Sequence, residues 1–439
     1  MISQGIEAFG GKRVLLLQGP IGPFFARLAA DLRQAGATVF KVNFNAGDWL
    51  FYPRAAMNYC SNMDDWPLWL EQQLRALRID VVMLFGDCRP VHVAAHAVAT
   101  RLGLEVGVFE EGYVRPDYVT LERFGVNGNS RMPRTPQAYA QPAPPLPDKQ
   151  RIAMPYWHMV WFGFCYFTVG GLGKPFFPHY QHHRPLSIWE MFPWLRSVWR
   201  KQWYRLKEQG LQERLTGPLS KRYFFVPLQV YNDAQVTVHA NVGGVEGFIE
   251  TVLRSFAAHA PKDDWLVLKH HPMDRGYRDY TRLIGRLSKT LGIESQVLYG
   301  HDQYTPALLD HAKGVVVINS TVGLSALAHH CPTKVCGEAM YDMPGLTYQG
   351  SLDEFWSEAV HHIPDQQLYQ RFKDHLIAKT QLNGNFYRPL KVPGSKTGLV
   401  WGKRVQEKNK VPPAITPVPV PQSPAPSPGD CAKELLNIP

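Results

Sequence analysis

The chain has 439 residues, of which 45% are hydrophobic and 12% aromatic, with a net charge of +10 and a pI near 9.2. That length gives two domains, each able to bury a sizeable core, and that composition excludes a largely disordered chain. The positive balance calls for an acidic partner: nucleic acid, an anionic membrane or a phosphorylated substrate. No nucleic-acid module is recognisable, which leaves the last two.

Cys60, Cys88, Cys165, Cys331, Cys336 and Cys431 are scattered, without a CxxC pair. This fits free thiols in a reducing cytosol and argues against a disulfide framework or a zinc site. The opening residues carry no signal-peptide pattern, because their apolar run is short and passes into a glycine turn.

Arg13–Gln18 reads as a buried strand, followed by Gly19-Pro20-Ile21-Gly22, a helix to about Ala35, and a second strand at Thr38–Phe44. This is a βαβ opening. Gly19 permits close backbone approach to a ligand, although GPIG lacks the GxGxxG spacing and a plain strand-to-helix turn accounts for it too. Asn45–Trp49 reads as a loop, Asp64–Leu77 as a helix, Val81–Phe85 as a strand and Val91–Leu102 as a helix. His92 and His96 share one face of that helix at metal-ligand spacing. No third ligand accompanies them, so ordinary packing is the expectation.

Glu105–Phe109 is a further strand and delivers Glu110-Glu111-Gly112 with Arg115 close behind. A carboxylate at a strand's C-terminal edge can serve as acid, base or nucleophile, and a glycine beside it lets substrate approach the backbone. A solvated acidic loop is the competing reading. Residues 141–147 (QPAPPLP) form a connector into an aromatic stretch from Met154 to Leu206, with Arg196, Arg200, Lys201, Arg205 and Lys207 interleaved. Its uncharged run is shorter than the ~20 residues a spanning helix needs. Aromatics beside basic residues suit the headgroup region of an anionic membrane, or else a helical core with a wet basic face.

The second half returns to α/β. Tyr223–Val226 is a strand leading to Asp233, flanked by Gln229 and Gln235, whose amides can bond sugar hydroxyls or orient the carboxylate. Gly243–His259 is a helix and Trp265–Leu268 a buried strand. Lys269, His270, His271 and Pro272 follow at its C-terminal end, where open α/β sheets place ligands. Alternation puts Lys269 and His271 on one face, an anion clamp or simply a surface pair. Helix Arg278–Leu291, strand Val297–Leu298 and helix Thr305–His311 come next. Strand Val315–Ile318 runs into Asn319-Ser320-Thr321 and the helix Leu324–His330, which offers N–H groups and hydroxyls to a phosphate. Simple N-capping explains the same residues. Lys334–Gly337 suggests one more strand, folded structure ends near Val400, and the Pro-rich residues 411–430 read as extended or disordered.

In order, the segments LLQGPIGPFF, FNAGDW, LFGDCRPVH, FEEGYVRPDYVTLERFGVN, FVPLQVYNDAQV, LVLKHHP, VINSTVGLSAL and VCGEAMYDMPGLT closely resemble the capsular polysaccharide biosynthesis proteins of the KpsS/LipB type, the β-Kdo transferases. The resemblance runs from Arg13 to about Trp356 and does not cover the tail. It implies a GT-B-like α/β fold: two Rossmann-like domains facing a central cleft, with an aromatic helical insertion. The expected divisions are 1–140, 141–215 (the membrane-facing insertion), 216–400 (the CMP-sugar domain) and a tail at 401–439.

It further implies transfer of Kdo from CMP-Kdo, with retention, to a lyso-phosphatidylglycerol acceptor at the cytoplasmic face of the inner membrane. His271 with Ser320 and Thr321 would hold the CMP phosphate and Lys269 would add charge. Glu111 matches the acidic residue before glycine that serves as acid/base in related CMP-sugar transferases, and Asp233 the candidate nucleophile, although which of the two attacks stays open. No metal and no cofactor beyond the donor are expected. KHHP stands where the family commonly has KPHP, and DAQ where it has DSQ; the first keeps the histidine before proline, and the second puts in doubt a helper hydroxyl. Two other readings use the same residues differently: a non-catalytic capsule export component that docks to membrane or partner proteins, and a sialyl-type transferase or sugar-nucleotide epimerase.

Overall fold

The computed structural model describes residues 5–146, 149–152, 155–182, 186–187, 189, 191–232, 236 and 243–401. The chain divides into two compact α/β units.

The first unit is built on β1 (Arg13–Leu17), α1 (Phe24–Gln34), β2 (Thr38–Asn43), α2 (Ala46–Phe51), β3 (Met57–Asn58), α3 (Trp66–Ala76), β4 (Val81–Phe85), α4 (Pro90–Arg101), β5 (Glu105–Glu111) and β6 (Tyr118–Arg123). The strands β5-β4-β1-β2-β3 are parallel neighbours in that order, and β6 lies antiparallel on β5. Val14, Leu15, Leu16 and Leu17 are fully buried, as the unbroken apolar run of a strand covered on both faces requires. The segment expected as a loop at Asn45–Trp49 is mostly helix, because the Asn45 side chain accepts from Asp48 N at 3.0 Å and caps α2. Strand β6 has no counterpart in the pattern reading. Its YVTLER sequence is polar at alternate positions, yet Thr120 and Glu122 are buried.

The aromatic stretch does not form one body. Helix α5 (Tyr156–Leu172) belongs to the first unit and packs on α2, where a Cβ on Gly47 would lie 2.7 Å from the Tyr166 ring. The C-terminal residues 379–401 also join the first unit. A strand at Gln381–Asn383 pairs antiparallel with β6, and Asp31 on α1 accepts from Ser395 Oγ and Thr397 N, both at 2.9 Å. Long-range pairing of this kind leaves no local sequence signal, so the unit boundaries fall elsewhere than the pattern places them.

The second unit takes α6 (Met191–Lys207), α7 (Leu211–Thr216), β7 (Tyr223–Pro227), α8 (Gly244–His259), β8 (Trp265–Lys269), α9 (Thr281–Thr290), β9 (Val297–Gly300), α10 (Thr305–His311), β10 (Gly314–Val317), α11 (Val322–Ala328), β11 (Thr333–Val335), α12 (Leu352–Glu358) and most of α13 (Gln366–Thr380). Its five strands are all parallel, in the order β11-β10-β7-β8-β9. Phe224, Phe256, Phe355 and Trp356 join one fully buried cluster. Among the described residues, no helix is long and apolar enough to cross a membrane.

Candidate functional site

In each sheet the chain starts in the middle, builds outward on one side, and then crosses to the other. The reversal lies between β1 and β4 in the first unit and between β7 and β10 in the second. Loops leave in opposite directions there, so a crevice opens at the strands' carboxyl ends. In both units a glutamine just past the first strand spans that reversal. Gln18 Oε1 accepts from Arg89 Nη1 at 2.8 Å. Gln229 Nε2 donates to Asn319 Oδ1 at 3.0 Å, and Asn319 N donates back to Gln229 Oε1 at 3.3 Å.

In the second unit Gln229, Ser320 and Thr321 stand at the reversal, and Lys269 and His271 at the end of the neighbouring strand β8. Ser320 Oγ accepts from Val322 N at 3.2 Å, and its carbonyl accepts from Tyr341 Oη at 2.5 Å. Thr321 is the N-cap of α11 and makes no side-chain cap bond. Gly323 is required for this packing, since a Cβ there would stand 2.2 Å from the Tyr341 hydroxyl. At the next strand end, Lys269 is buried, and desolvation lowers its pKa while Asp302 pulls the other way. His270 is buried against Tyr299, with Nδ1 2.6 Å from the phenol, and burial depresses its pKa to about 3. His271 is half-buried and caps the turn that Pro272 begins, its Nδ1 accepting from Met273 N at 3.2 Å. Asp274 Oδ2 accepts from Tyr231 N at 2.8 Å and ties this turn to the segment after Gln229. Asp233 and Gln235 lie outside the described residues.

In the first unit Glu111 ends β5 and is half-buried. Desolvation pushes its carboxyl above the usual carboxylate range, while Arg115 and a 3.3 Å bond from Tyr387 Oη act in the opposite sense. Its carbonyl accepts from Thr120 Oγ1 at 3.0 Å, and its amide donates to Glu110 Oε1 at 2.9 Å. The two glycines singled out from the sequence serve packing. A Cβ on Gly112 would lie 1.9 Å from Tyr118 O, and one on Gly19 would lie 2.9 Å from the Phe25 ring. Gly19 also has a φ of 130°, which side-chain-bearing residues avoid.

Sequence reasoning missed a polar cluster beside Gln18. Asp48 accepts from Phe44 N at 3.0 Å, Asn45 Nδ2 at 3.1 Å and Tyr166 Oη at 3.1 Å, and Gln18 Nε2 donates to Tyr180 Oη at 2.7 Å. Lys41 is buried nearby, bonded to Val42 O and Asn43 Oδ1, with its pKa lowered by desolvation to about 8. A signal was present in FNAGDW, whose Asn and Asp are unusual beside a buried strand, but the tyrosine that both side chains share, Tyr166, lies 118 positions beyond Asp48 and 121 beyond Asn45. The His92–His96 pair is ordinary packing. His92 is buried, with Nδ1 2.7 Å from Gly86 O, and burial takes its pKa down to about 3. Among the described residues no cluster of three or more His, Cys, Asp or Glu could hold a metal.

Two Rossmann-like units in one chain, each with polar side chains bridging its sheet reversal, are the domain composition of the GT-B class. Residues 80–387 match the family model described as "Capsule polysaccharide biosynthesis protein", and the chain belongs to that family. It is 43% identical over 381 residues to the Escherichia coli capsule polysaccharide export protein KpsS, covering 86% of this chain and 97% of that one. It is 40% identical over 396 residues to the capsule polysaccharide modification protein LipB of Neisseria meningitidis serogroup B, covering 88% and 94%. Among solved structures, Thermosulfurimonas dismutans KpsC, a beta Kdo 2,7 transferase, aligns with a TM-score of 0.40 at 14% identity, over 81% of this chain and 94% of that one.

Proposed function

We propose that this chain is a retaining β-Kdo glycosyltransferase that moves Kdo from CMP-Kdo to a lyso-phosphatidylglycerol acceptor and so starts the poly-Kdo linker of a capsular polysaccharide. The observation that carries the reading is the second unit's sheet reversal, where the Gln229–Asn319 bridge sits directly before Ser320 and Thr321. The kinship with capsule export and modification proteins supports the same biology.

Retention of configuration takes two inversions. A carboxylate, assigned to Asp233, attacks the anomeric carbon as its bond to the CMP phosphate oxygen breaks, and CMP leaves as an anion. The acceptor hydroxyl then attacks the same carbon, displaces the carboxylate and loses its proton to Glu111. The upward shift that burial gives Glu111 makes its carboxylate a better proton acceptor for this step. His271 accepts at Nδ1, which leaves the proton of its neutral ring on Nε2 as a donor towards a phosphate oxygen. Lys269, Ser320, Thr321, Gln229 and Gln235 complete the donor side, and neither a metal nor a cofactor beyond CMP-Kdo is needed. The protein works peripherally on the cytoplasmic face of the inner membrane, beside other capsule assembly and export proteins.

The test is incubation of the purified chain with CMP-Kdo and lyso-phosphatidylglycerol, with the lipid followed by mass spectrometry. A Kdo mass added by the native chain and lost in Asp233→Ala and His271→Ala supports the reading. CMP release without lipid product points to another acceptor. Neither product, from a folded protein, overturns the transferase in favour of an export component.

A further inference from the structure

Helix α6 presents Phe192, Leu195, Trp199, Trp203 and Leu206 at helical spacing along one face, and each is more than half exposed. Monomeric proteins rarely leave such a contiguous apolar stripe in water. The opposite face is fixed to the second unit. Tyr204 stacks on His301 with ring centroids 3.5 Å apart, and Glu208 accepts from His301 N at 3.0 Å and from Gln303 Nε2 at 2.7 Å. Arg196 and Arg200, which the sequence placed towards lipid, instead donate to backbone carbonyls of Gly276 and Arg275. The stripe is therefore held outward by the helix's own anchoring.

Two features say what covers it. The helix holds no acidic residue, and Arg205 on one side and Lys207 on the other are exposed around the apolar stripe. Next to Trp203 an open cavity of about 500 Å³ is lined by Arg200, Trp203, Tyr204, Lys207, Asp279, Thr281 and Arg282. Asp279 is the single carboxylate in that lining, its Oδ2 lying 3.9 Å from Arg200 Nη2, so Arg200, Lys207 and Arg282 leave the cavity with an excess of positive charge. A tryptophan-rich stripe flanked by cations suits the interface of a bilayer, and a helix of 17 residues with five basic side chains lies in that plane and does not cross it.

We propose that α6 docks in the surface of an anionic bilayer, with its stripe among the acyl chains and the phosphate of a phospholipid headgroup in the Arg200–Lys207–Arg282 cavity. This rests on the membrane location in the proposed function and names the helix, face and lipid charge that produce it. The helix grips the backbone at Arg275 and Gly276, just beyond His271, so docking also fixes the donor-side turn relative to the membrane.

The test uses the full chain with phosphatidylcholine vesicles, with and without phosphatidylglycerol. Co-sedimentation and a blue shift in tryptophan emission are expected with phosphatidylglycerol alone. Trp199→Ser with Trp203→Ser abolishes both signals, and Lys207→Glu with Arg282→Glu weakens binding by about tenfold or more, each in a protein of unchanged circular dichroism. Unaltered binding by both variants overturns the proposal. So does full displacement by inorganic phosphate, which would mark a free-anion site. A dimer that ignores vesicles and becomes monomeric in the tryptophan variant would show a second copy on the stripe. Vesicle binding without Kdo transfer upholds docking and refutes the transferase. Kdo transfer to detergent-dispersed lysolipid without vesicle binding does the reverse.

Discussion

Gln229 and Asn319 exchange two hydrogen bonds, at 3.0 and 3.3 Å, across the point where the second sheet reverses its strand order. The pair holds the ends of β7 and β10 at a fixed separation. It also leads straight into Ser320 and Thr321, so any distortion passes to the proposed phosphate contacts. Gln229→Ala removes both bonds to the half-buried Asn319, a loss of about 1 kcal/mol or more. Calorimetry with CMP should show weaker binding by about tenfold, and thermal unfolding should fall by a few degrees. Unchanged CMP affinity would remove the pair from the donor site.

Glu111 and Tyr387 give a prediction with a defined sign. The Tyr387 hydroxyl donates to the carboxylate, and so favours its charged form against the burial that disfavours it. Tyr387→Phe removes that donor and raises the Glu111 pKa further. Glu111 must be ionised to take the acceptor's proton, so the acid limb of the pH–rate profile moves to higher pH. Glu111→Gln should cost about 10²–10⁴ in rate and erase that limb.

Gly323 and Tyr341 are packed too closely for any side chain at the glycine, since the Cβ would come within 2.2 Å of the phenol oxygen. Gly323→Ala should expel the ring, break its bond to Ser320 O and destabilise the protein by about 1–3 kcal/mol. Adding Tyr341→Phe, which removes the clashing oxygen, should recover part of the loss. A denaturant titration of the single and double variants measures the recovery.

His92 and His270 set an acid limit on stability. Both are buried, with pKa values lowered from 6.5 to about 3, so between those values the unfolded chain binds protons that the native chain refuses. Their contribution is therefore present above pH 6.5 and is lost as the pH falls towards 3. From neutrality to about pH 5 each should remove about 2 kcal/mol. His92→Asn, which keeps a donor for Gly86 O and cannot charge, should flatten the decline in urea midpoint over that range.

The sequence alone determined most of the parallel strands, because strands buried on both faces must be continuous apolar runs: RVLLL, VVMLF, YFFV and WLVL are legible without neighbours. It also determined that Glu111, Lys269, His271 and Ser320 lie at the C-terminal ends of such strands, Glu111 and Lys269 being the last residues of β5 and β8. Only the tertiary structure decided which strand ends meet. The order of strands is a long-range property, so neither the Gln18–Arg89 nor the Gln229–Asn319 bridge has a local signature. The strand Gln381–Asn383 could not be assigned to the first sheet for the same reason, its partner β6 lying more than 250 residues earlier. The roles of the basic residues on α6 were likewise undecidable from spacing: Arg196 and Arg200 turn to carbonyls, and Lys201, Arg205 and Lys207 stay in solvent. A helix's sequence fixes the angle between its side chains, but the surface it packs against decides which of them see water.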